Sequence, residues 1–526
     1  MKVLKFIFFA CIISQFTSCK NNSEGKVKED VVQDTTLFNS SDASLVNYEI
    51  PEWYKDAKIG YWATWGVYSV PAYAGDHAAE WYGRWMYTVD DGSGEKKGKT
   101  FDQRGLKTAA FHKEKYGDPA VFGYKDFIPM FKAEKWNADE WANLFEEGGA
   151  KFFVFMAMHH DNFCLWDSET QPYNSVKMGP KRDFTAEMKI AVKKKGMHFG
   201  VSNHSAWNGS FFEYNHINGF DGLKKENQGL YGTGKVDSLA IDRWWKTTIE
   251  LADKYQPDLY YFDWGWNLKP FQEKHRRKFL THYYNKALEW GKGKYPAPNV
   301  VVNYKNRAKL PVGSAVLDLE RGGMKEIEKE LWQNDTSLGL KSWSYAMDEE
   351  YRSANQVVDM LMDIISKNGV LLLNIGPKAD GSIPHEAAIP IKEIGAWLKI
   401  NGEAVYATRP WEIFGEGPTV PNEKMHGDQV EYTSKDIRFT KSKDDKNLFV
   451  TFLGWPSNDA IVTSLKSEII DLTSLEKVTL LSNNEAIKWN QKTDGLHFYL
   501  PQKIDKNDSA YALKLEFKET VPQFRK

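Results

Sequence analysis

Between roughly residues 49 and 408 the chain alternates short apolar runs with longer stretches whose apolar positions recur at helical spacing. Residues 59–64, 152–158, 197–202, 259–263, 299–303, 315–319 and 370–375 read as strands. Residues 139–147, 184–195, 238–255, 271–290, 353–367 and 388–400 read as helices; in 139–147, Trp141, Leu144 and Phe145 mark the apolar face. Residues 152–158 are apolar throughout, the pattern of a strand covered on both faces. Repeated βα units predict an α/β fold with a parallel sheet. Polar residues stand at the C-terminal ends of separate predicted strands: Thr64, His159–His160, Asn203–His204, Asp263, Glu320 and Asn374. That distribution favours a closed TIM-type (β/α)8-like barrel, because an open sheet concentrates such residues at one switch point.

After Trp411 the texture changes to short alternating runs at 436–440, 447–453, 477–480, 497–500 and 511–517, separated by Asp, Asn, Ser and Gly. This predicts a C-terminal antiparallel β-sandwich. At the other end, Lys2 and Lys5 precede an apolar run too short to span a bilayer, followed by Phe16-Thr17-Ser18-Cys19. The segment resembles a bacterial lipobox, with Phe16 where Leu is usual. The expected organisation is a signal peptide at 1–18, a lipidated polar tether at 19–47, a barrel at 48–412 and a sandwich at 413–526. On this reading the protein is exported and held at the periplasmic face or cell surface of a bacterium by a lipid on Cys19, its only link to a membrane; plain secretion is the alternative. Of Cys11, Cys19 and Cys164, only Cys164 belongs to the folded part, which excludes an internal disulfide or a cysteine-based zinc site.

A net charge of −2 gives no sign of a nucleic-acid partner. The 20 Trp, 25 Tyr and 30 Phe serve first as core, and a subset suits stacking on sugar rings. Four segments carry candidate chemistry. In 255–266 (YQPDLYYFDWGW) an apolar strand ends on Asp263 among aromatic residues, although an Asp there is often only a turn or helix cap. His159 and His160 close another strand and can bond sugar hydroxyls; a metal is disfavoured because adjacent strand residues point to opposite faces and no further ligand is evident. In DLERG, Glu320 ends a later strand, so it and Asp263 could meet as the carboxyl pair of a retaining glycosidase, about 5–5.5 Å apart. An ordinary Glu–Arg surface pair is the plainer reading. Residues 366–381 (SKNGVLLLNIGPKADG) are mainly scaffold: a capped helix, a strand and a tight turn.

Together these segments resemble the α-L-fucosidases of glycoside hydrolase family 29. The resemblance is carried in order by AKIGYWATWGVYSVPAY (57–73), EWY (80–82), HHDNFCLWDS (159–168), GPKRD (179–183), the strand ending in Asp263, SKNGVLLLNIGPKADGSIP (366–384) and WLKINGEAVYATRPW (397–411). It implies that Asp263 is the nucleophile and that Glu80, Trp81, His159, His160 and Tyr261 line a fucose pocket. Thr64, Trp65, Asn203, His204 and Trp343 (in KSWSY) fall at sugar-contact positions. The family's first strand usually ends His-Trp-Gly; here it is Thr64-Trp65-Gly66, so a different sugar, water or His77 must account for the shorter side chain. Some members carry an acid/base Glu after a Trp, where this chain has Trp332-Gln333. Glu320 matches the other acid/base position. Glu326, Glu328 and Glu330 read as a solvated helix face.

The resemblance therefore implies an exo-acting retaining enzyme that removes terminal α-linked L-fucose from oligo- or polysaccharides without metal or redox cofactor. Asp263 would attack the anomeric carbon while Glu320 protonates the leaving oxygen, then activates water. Two alternatives stand beside it: an α-galactosidase, L- or D-configured, on the same scaffold, and a non-catalytic glycan-binding lipoprotein.

Overall fold

Eight parallel strands close into a barrel in chain order: β1 (Ile59–Ala63), β2 (Phe152–Met158), β3 (His198–Asn203), β4 (Leu259–Tyr261), β5 (Val301–Tyr304), β6 (Val316–Glu320), β7 (Trp332–Ser337) and β8 (Gly369–Ile375), with β8 paired to β1. The computed structural model describes residues 37–525, apart from 94, 99–101, 425, 457–458 and 503–509. The expected signal peptide, Cys19 and the first part of the tether lie outside the described residues. Residues 37–47, read as tether from their composition, are packed on the barrel. Phe38 bonds Asn285 through its backbone N–H, and Leu45 is fully buried.

β7 has no counterpart among the strands expected from the sequence. Its residues, WQNDTS, are polar yet all buried, so no hydrophobic run announces it. They bond within the barrel instead. Gln333 accepts from the Tyr54 hydroxyl at 2.7 Å and donates to Asp318 at 2.6 Å, while Asn334 Nδ2 donates to the Gly322 carbonyl at 2.5 Å. Tyr54 lies on the short helix Glu52–Ala57, whose Tyr54 and Ala57 join the barrel's inner core with Phe152, Val154, Val301 and Leu372. β1 can accommodate Phe152 only because residue 60 is glycine: a Cβ there would lie 2.4 Å from the Phe152 ring.

Helices Ala138–Glu147, Phe184–Lys194, Ser238–Tyr255, Glu273–Gly291, Ala354–Ser366 and His385–Asn401 cover the outside. No α-helix joins β5 to β6 or β6 to β7. The glutamate-rich stretch 326–330 is a loop, which corrects the expected helix face: Glu328 pairs with Arg307, and the stretch has no apolar positions at helical spacing to pack a helix on the barrel. The gap is filled from the C-terminal side, where Gly323 donates its N–H to the Asn422 carbonyl and Asp428 donates to the Arg321 carbonyl.

Beyond residue 407 the chain forms a seven-stranded sheet built around Ile437–Ser442, Asn447–Phe452, Tyr511–Phe517 and Leu475–Leu480, and a three-stranded sheet of Asp459–Val462, Leu496–Tyr499 and Lys488–Gln491. Their apolar faces meet in one core containing Phe439, Val450, Leu513, Val462 and Phe498. The larger sheet is anchored to the barrel by a buried ionic cluster. Asp363 on Ala354–Ser366 receives Arg438 Nε at 2.7 Å and Lys367 Nζ at 2.7 Å. Removing the shared carboxylate strands two buried cations, which costs about 3–5 kcal/mol in comparable cases. Asp363→Ala is therefore expected to lower the thermal unfolding midpoint by several degrees; an unchanged midpoint would show that the cluster does not hold the two parts together.

Candidate active site

Asp263 follows β4 and precedes the single turn Trp264–Asn267, but its carboxylate makes no capping bond to that turn. It faces the barrel mouth, where Oδ2 lies 3.3 Å from His160 Nε2 and 3.4 Å from His204 Nδ1. Glu320 is the last residue of β6. Between them, one residue past β5, stands Lys305. Its Nζ is 2.7 Å from Glu320 Oε2, 3.5 Å from Asp263 Oδ1, 3.3 Å from Asp335 Oδ2 and 3.7 Å from Asp318 Oδ2. The Asp263 and Glu320 oxygens cannot be further apart than the two Lys305 legs laid end to end. That bound on one pair of their oxygens sets the two carboxyls close together, as direct attack needs.

One ammonium cannot neutralise four carboxylates, three of them buried and Glu320 half-buried, so burial and mutual repulsion favour protons on some of them. Burial first, then the charge of Asp335, raises Asp318 well above the ordinary carboxylate range, and Asp335 also shares a hydrogen bond with it. Burial raises Glu320, helped by Asp335 and Asp263 and opposed by Lys305. Asp263 goes the other way. Burial would raise it, but His204, Lys305 and hydrogen bonds from His160 and His204 together push it well below its usual value. Lys305 itself is held firmly protonated, its desolvation outweighed by the surrounding carboxylates. The surroundings thus push Asp263 toward the charged form and Glu320 toward the protonated form, the direction of division that a nucleophile and a general acid need.

These groups open into a cavity of about 480 Å³. Of the residues expected from sequence, Thr64, Glu80, Trp81, His159, His160, His204, Trp343, Asp263 and Glu320 all line it. β2 carries a bulge between Met156 and Met158. Past the bulge the chain leaves the strand, so His159 and His160 both present their rings to the cavity instead of alternating faces. Glu80 is anchored by the Ser342 hydroxyl at 2.7 Å and the Ser344 N–H at 3.2 Å; burial raises its pKa and those bonds oppose the rise. Thr64 is tied to Asn374 Oδ1 at 2.7 Å, and His77 lines the same cavity with burial pushing its pKa to about 4.

Three expected contacts stand elsewhere. Trp65 is buried outside the strand ring, stacked on Trp136 and donating to the Lys378 carbonyl. Asn203 turns its amide to Thr248 and Tyr260. Tyr261 lies beneath the cavity floor, its hydroxyl donating to Asp335 at 2.8 Å and contacting Asp318 at 3.2 Å. Gln333 is likewise inside the barrel wall, away from the cavity. Sequence reasoning passed over Lys305, Asp335, Trp62, Trp264, Arg321 and His426, all cavity-lining. Lys305 had a signal, since it too follows a barrel strand. His426 had none, because it reaches the cavity from beyond the barrel. The case against a metal also changes: His204 supplies a third histidine beside the pair, with ring nitrogens of all three within 4.8 Å of one another.

A closed barrel whose mouth pairs two carboxyls at short range, one pushed toward the ionised form and the other toward the protonated form, suits a barrel glycoside hydrolase. Comparison with known proteins narrows the class. A family model described as alpha-L-fucosidase matches residues 26–403, and one for the alpha-L-fucosidase C-terminal domain matches 429–516. The tissue alpha-L-fucosidase of Rattus norvegicus is 31% identical over 488 residues, covering 90% of this chain and 91% of the relative. The plasma alpha-L-fucosidase of Homo sapiens is 28% identical over 89% of each chain. The crystal structure of the Thermotoga maritima alpha-fucosidase superposes with a TM-score of 0.70 at 27% identity, covering 91% of this chain and 100% of that one; the same enzyme has been solved in complex with fucose. This chain belongs to the α-L-fucosidase family of glycoside hydrolases.

Replacing Lys305 by Met removes the cation that holds Asp263 ionised. The expected result is a fall in kcat/KM of about 10²-fold or more, with the acidic limb of the pH profile moved upward, because the Asp263 pKa rises toward its ordinary value. An acidic limb unmoved in Lys305→Met would show that the lysine does not set the charge on Asp263.

Proposed function

We propose that this protein is an exo-acting retaining α-L-fucosidase in which Asp263 is the nucleophile and Glu320 the acid/base. The observation that supports the assignment is the Lys305 bridge, which holds the two carboxyls close together while their surroundings push Asp263 toward the charged form and Glu320 toward the protonated one. Asp263 attacks the anomeric carbon of a terminal α-linked L-fucose, and the Glu320 proton passes to the departing oxygen. The resulting β-glycosyl ester is cleaved by water, whose proton Glu320 takes up, returning both groups to their starting states with net retention. Thr64, Glu80, Trp81, His159, His160, His204 and Trp343 surround the bound sugar, the imidazoles and Glu80 meeting hydroxyls and the indoles offering apolar faces. Tyr261 acts from beneath by holding Asp335 and Asp318.

The wild-type chain is expected to release phenol from an aryl α-L-fucoside, with α-L-fucose the first anomer seen by NMR. Asp263→Asn should lose at least about 10³-fold in kcat. Initial formation of the β anomer would contradict double displacement. Release from an aryl galactoside in place of the fucoside would assign the pocket to a different sugar.

The same reading places the protein outside the cytoplasm, anchored through a lipid on Cys19. The basis is the order of charged, apolar and small residues ahead of that cysteine. Cys19→Ser should move the protein from the membrane fraction to the soluble exported fraction; unchanged membrane association would remove the anchor from the account.

A further inference from the structure

The wall of the cavity beside the nucleophile holds three histidines from two strand ends. His159 and His160 follow β2, and His204 follows β3; each is at most 5% exposed. His160 has a fixed orientation. Its Nδ1 lies 2.7 Å from the His204 carbonyl oxygen, which can only accept, so Nδ1 carries the hydrogen. With a proton on Nε2 the ring donates to Asp263 Oδ2, 3.3 Å away; without it the same nitrogen presents a lone pair to that oxygen, which a cation can take in the proton's place. His204 Nδ1 approaches the same oxygen at 3.4 Å. His159 Nδ1 is buried without a hydrogen-bond partner. Lone pairs aimed at one another across such gaps call for something positive between them: a proton, the hydrogen of a sugar hydroxyl, or a cation.

We propose that this cluster is a transition-metal site: a zinc-class divalent cation binds His160 Nε2, His204 Nδ1, Asp263 Oδ2 and the His159 ring, and blocks the sugar site. The donor set is three imidazoles and one carboxylate, which suits zinc, copper or nickel and not the oxygen-seeking magnesium or calcium. Tetrahedral zinc with bonds of about 2.0–2.1 Å sets its ligand atoms about 3.3–3.4 Å apart, the separations found from Asp263 to His160 and to His204. One nitrogen from each of the three rings lies within 4.8 Å of the others, with Asp263 outside that group, so His159 must turn inward to join the set built on Asp263. The backbone carbonyl behind His160 is the kind of outer partner that orients metal-binding imidazoles. Because Asp263 is one of the ligands, the bound cation covers the nucleophile: metal and sugar exclude one another, and the metal is an inhibitor rather than a cofactor.

The test is calorimetric titration of the EDTA-treated, dialysed full chain with zinc chloride in a non-coordinating buffer. The expected result is one site per chain, weakened at least about tenfold by His204→Phe and by Asp263→Asn, and unchanged by His282→Gln. His282 lies on an outer helix, paired with Asp253, and serves as the control for surface binding. Unfolding midpoints check that each variant is folded. The wild-type chain gives an independent reading: cobalt(II) should produce the intense visible absorption of a four-coordinate site, which zinc abolishes. Zinc should also raise the KM for an aryl α-L-fucoside without lowering kcat, and magnesium should do neither. No heat at millimolar zinc, equal affinity in the His204 and Asp263 variants, or inhibition that excess substrate fails to relieve would overturn the proposal. Only the competition arm rests on the proposed activity, so an enzyme that cleaves no fucoside leaves the calorimetric and cobalt arms intact as tests.

Discussion

Four carboxylates share one ammonium group at the mouth of this barrel, and the rest of the site depends on how that imbalance is resolved. Lys305 reaches Asp263, Asp318, Glu320 and Asp335 from one position. In water such pairs would be worth little; buried, each uncompensated charge is costly enough to force a proton onto some of the acids. Asp263 escapes that fate because His160 and His204 add to the pull of Lys305. Glu320, with Lys305 alone set against burial and the charges of Asp335 and Asp263, is pushed up instead. The chemistry of the pair follows from this difference in company.

The architecture exists to keep that company in place. Tyr261 on β4 bonds Asp335 on β7 and Asp318 on β6, while Gln333 ties Asp318 to Tyr54 on the helix that closes the barrel from below. A polar network thus occupies a barrel interior that would otherwise be packed with aliphatic side chains, and every strand from β4 to β7 contributes to it. On the outside the C-terminal segment replaces the helices missing after β5 and β6. By doing so it brings His426 to the cavity and braces the loop that carries Arg321, next to Glu320. The second domain is therefore part of the wall of the site as well as a support.

Most of the barrel was legible from the sequence because most of its strands are apolar runs and their ends carry polar residues. β7 was illegible for a physical reason: WQNDTS is buried by hydrogen bonding, not by hydrophobicity, so periodicity carries no signal there. The glutamates at 326, 328 and 330 misled in the opposite sense, their charge suggesting a solvated helix face where the chain runs as a loop. Family resemblance located Asp263, Glu320 and the histidine pair, but it also drew in Trp65 and Asn203, whose side chains the structure turns away from the cavity. Lys305 went unnoticed since a lysine in NYKN looks solvated until β5 is known to place it between two acids. The departure at Gln333 loses its weight once β7 is seen to hold that side chain inside the wall.

Neutron diffraction from deuterium-exchanged crystals near neutral pH would test the charge assignment most directly, by locating the protons themselves. A deuteron on the Glu320 carboxyl, three on Lys305 Nζ and none on Asp263 is the expected arrangement. A deuteron on Asp263, or a bare Glu320, would contradict it.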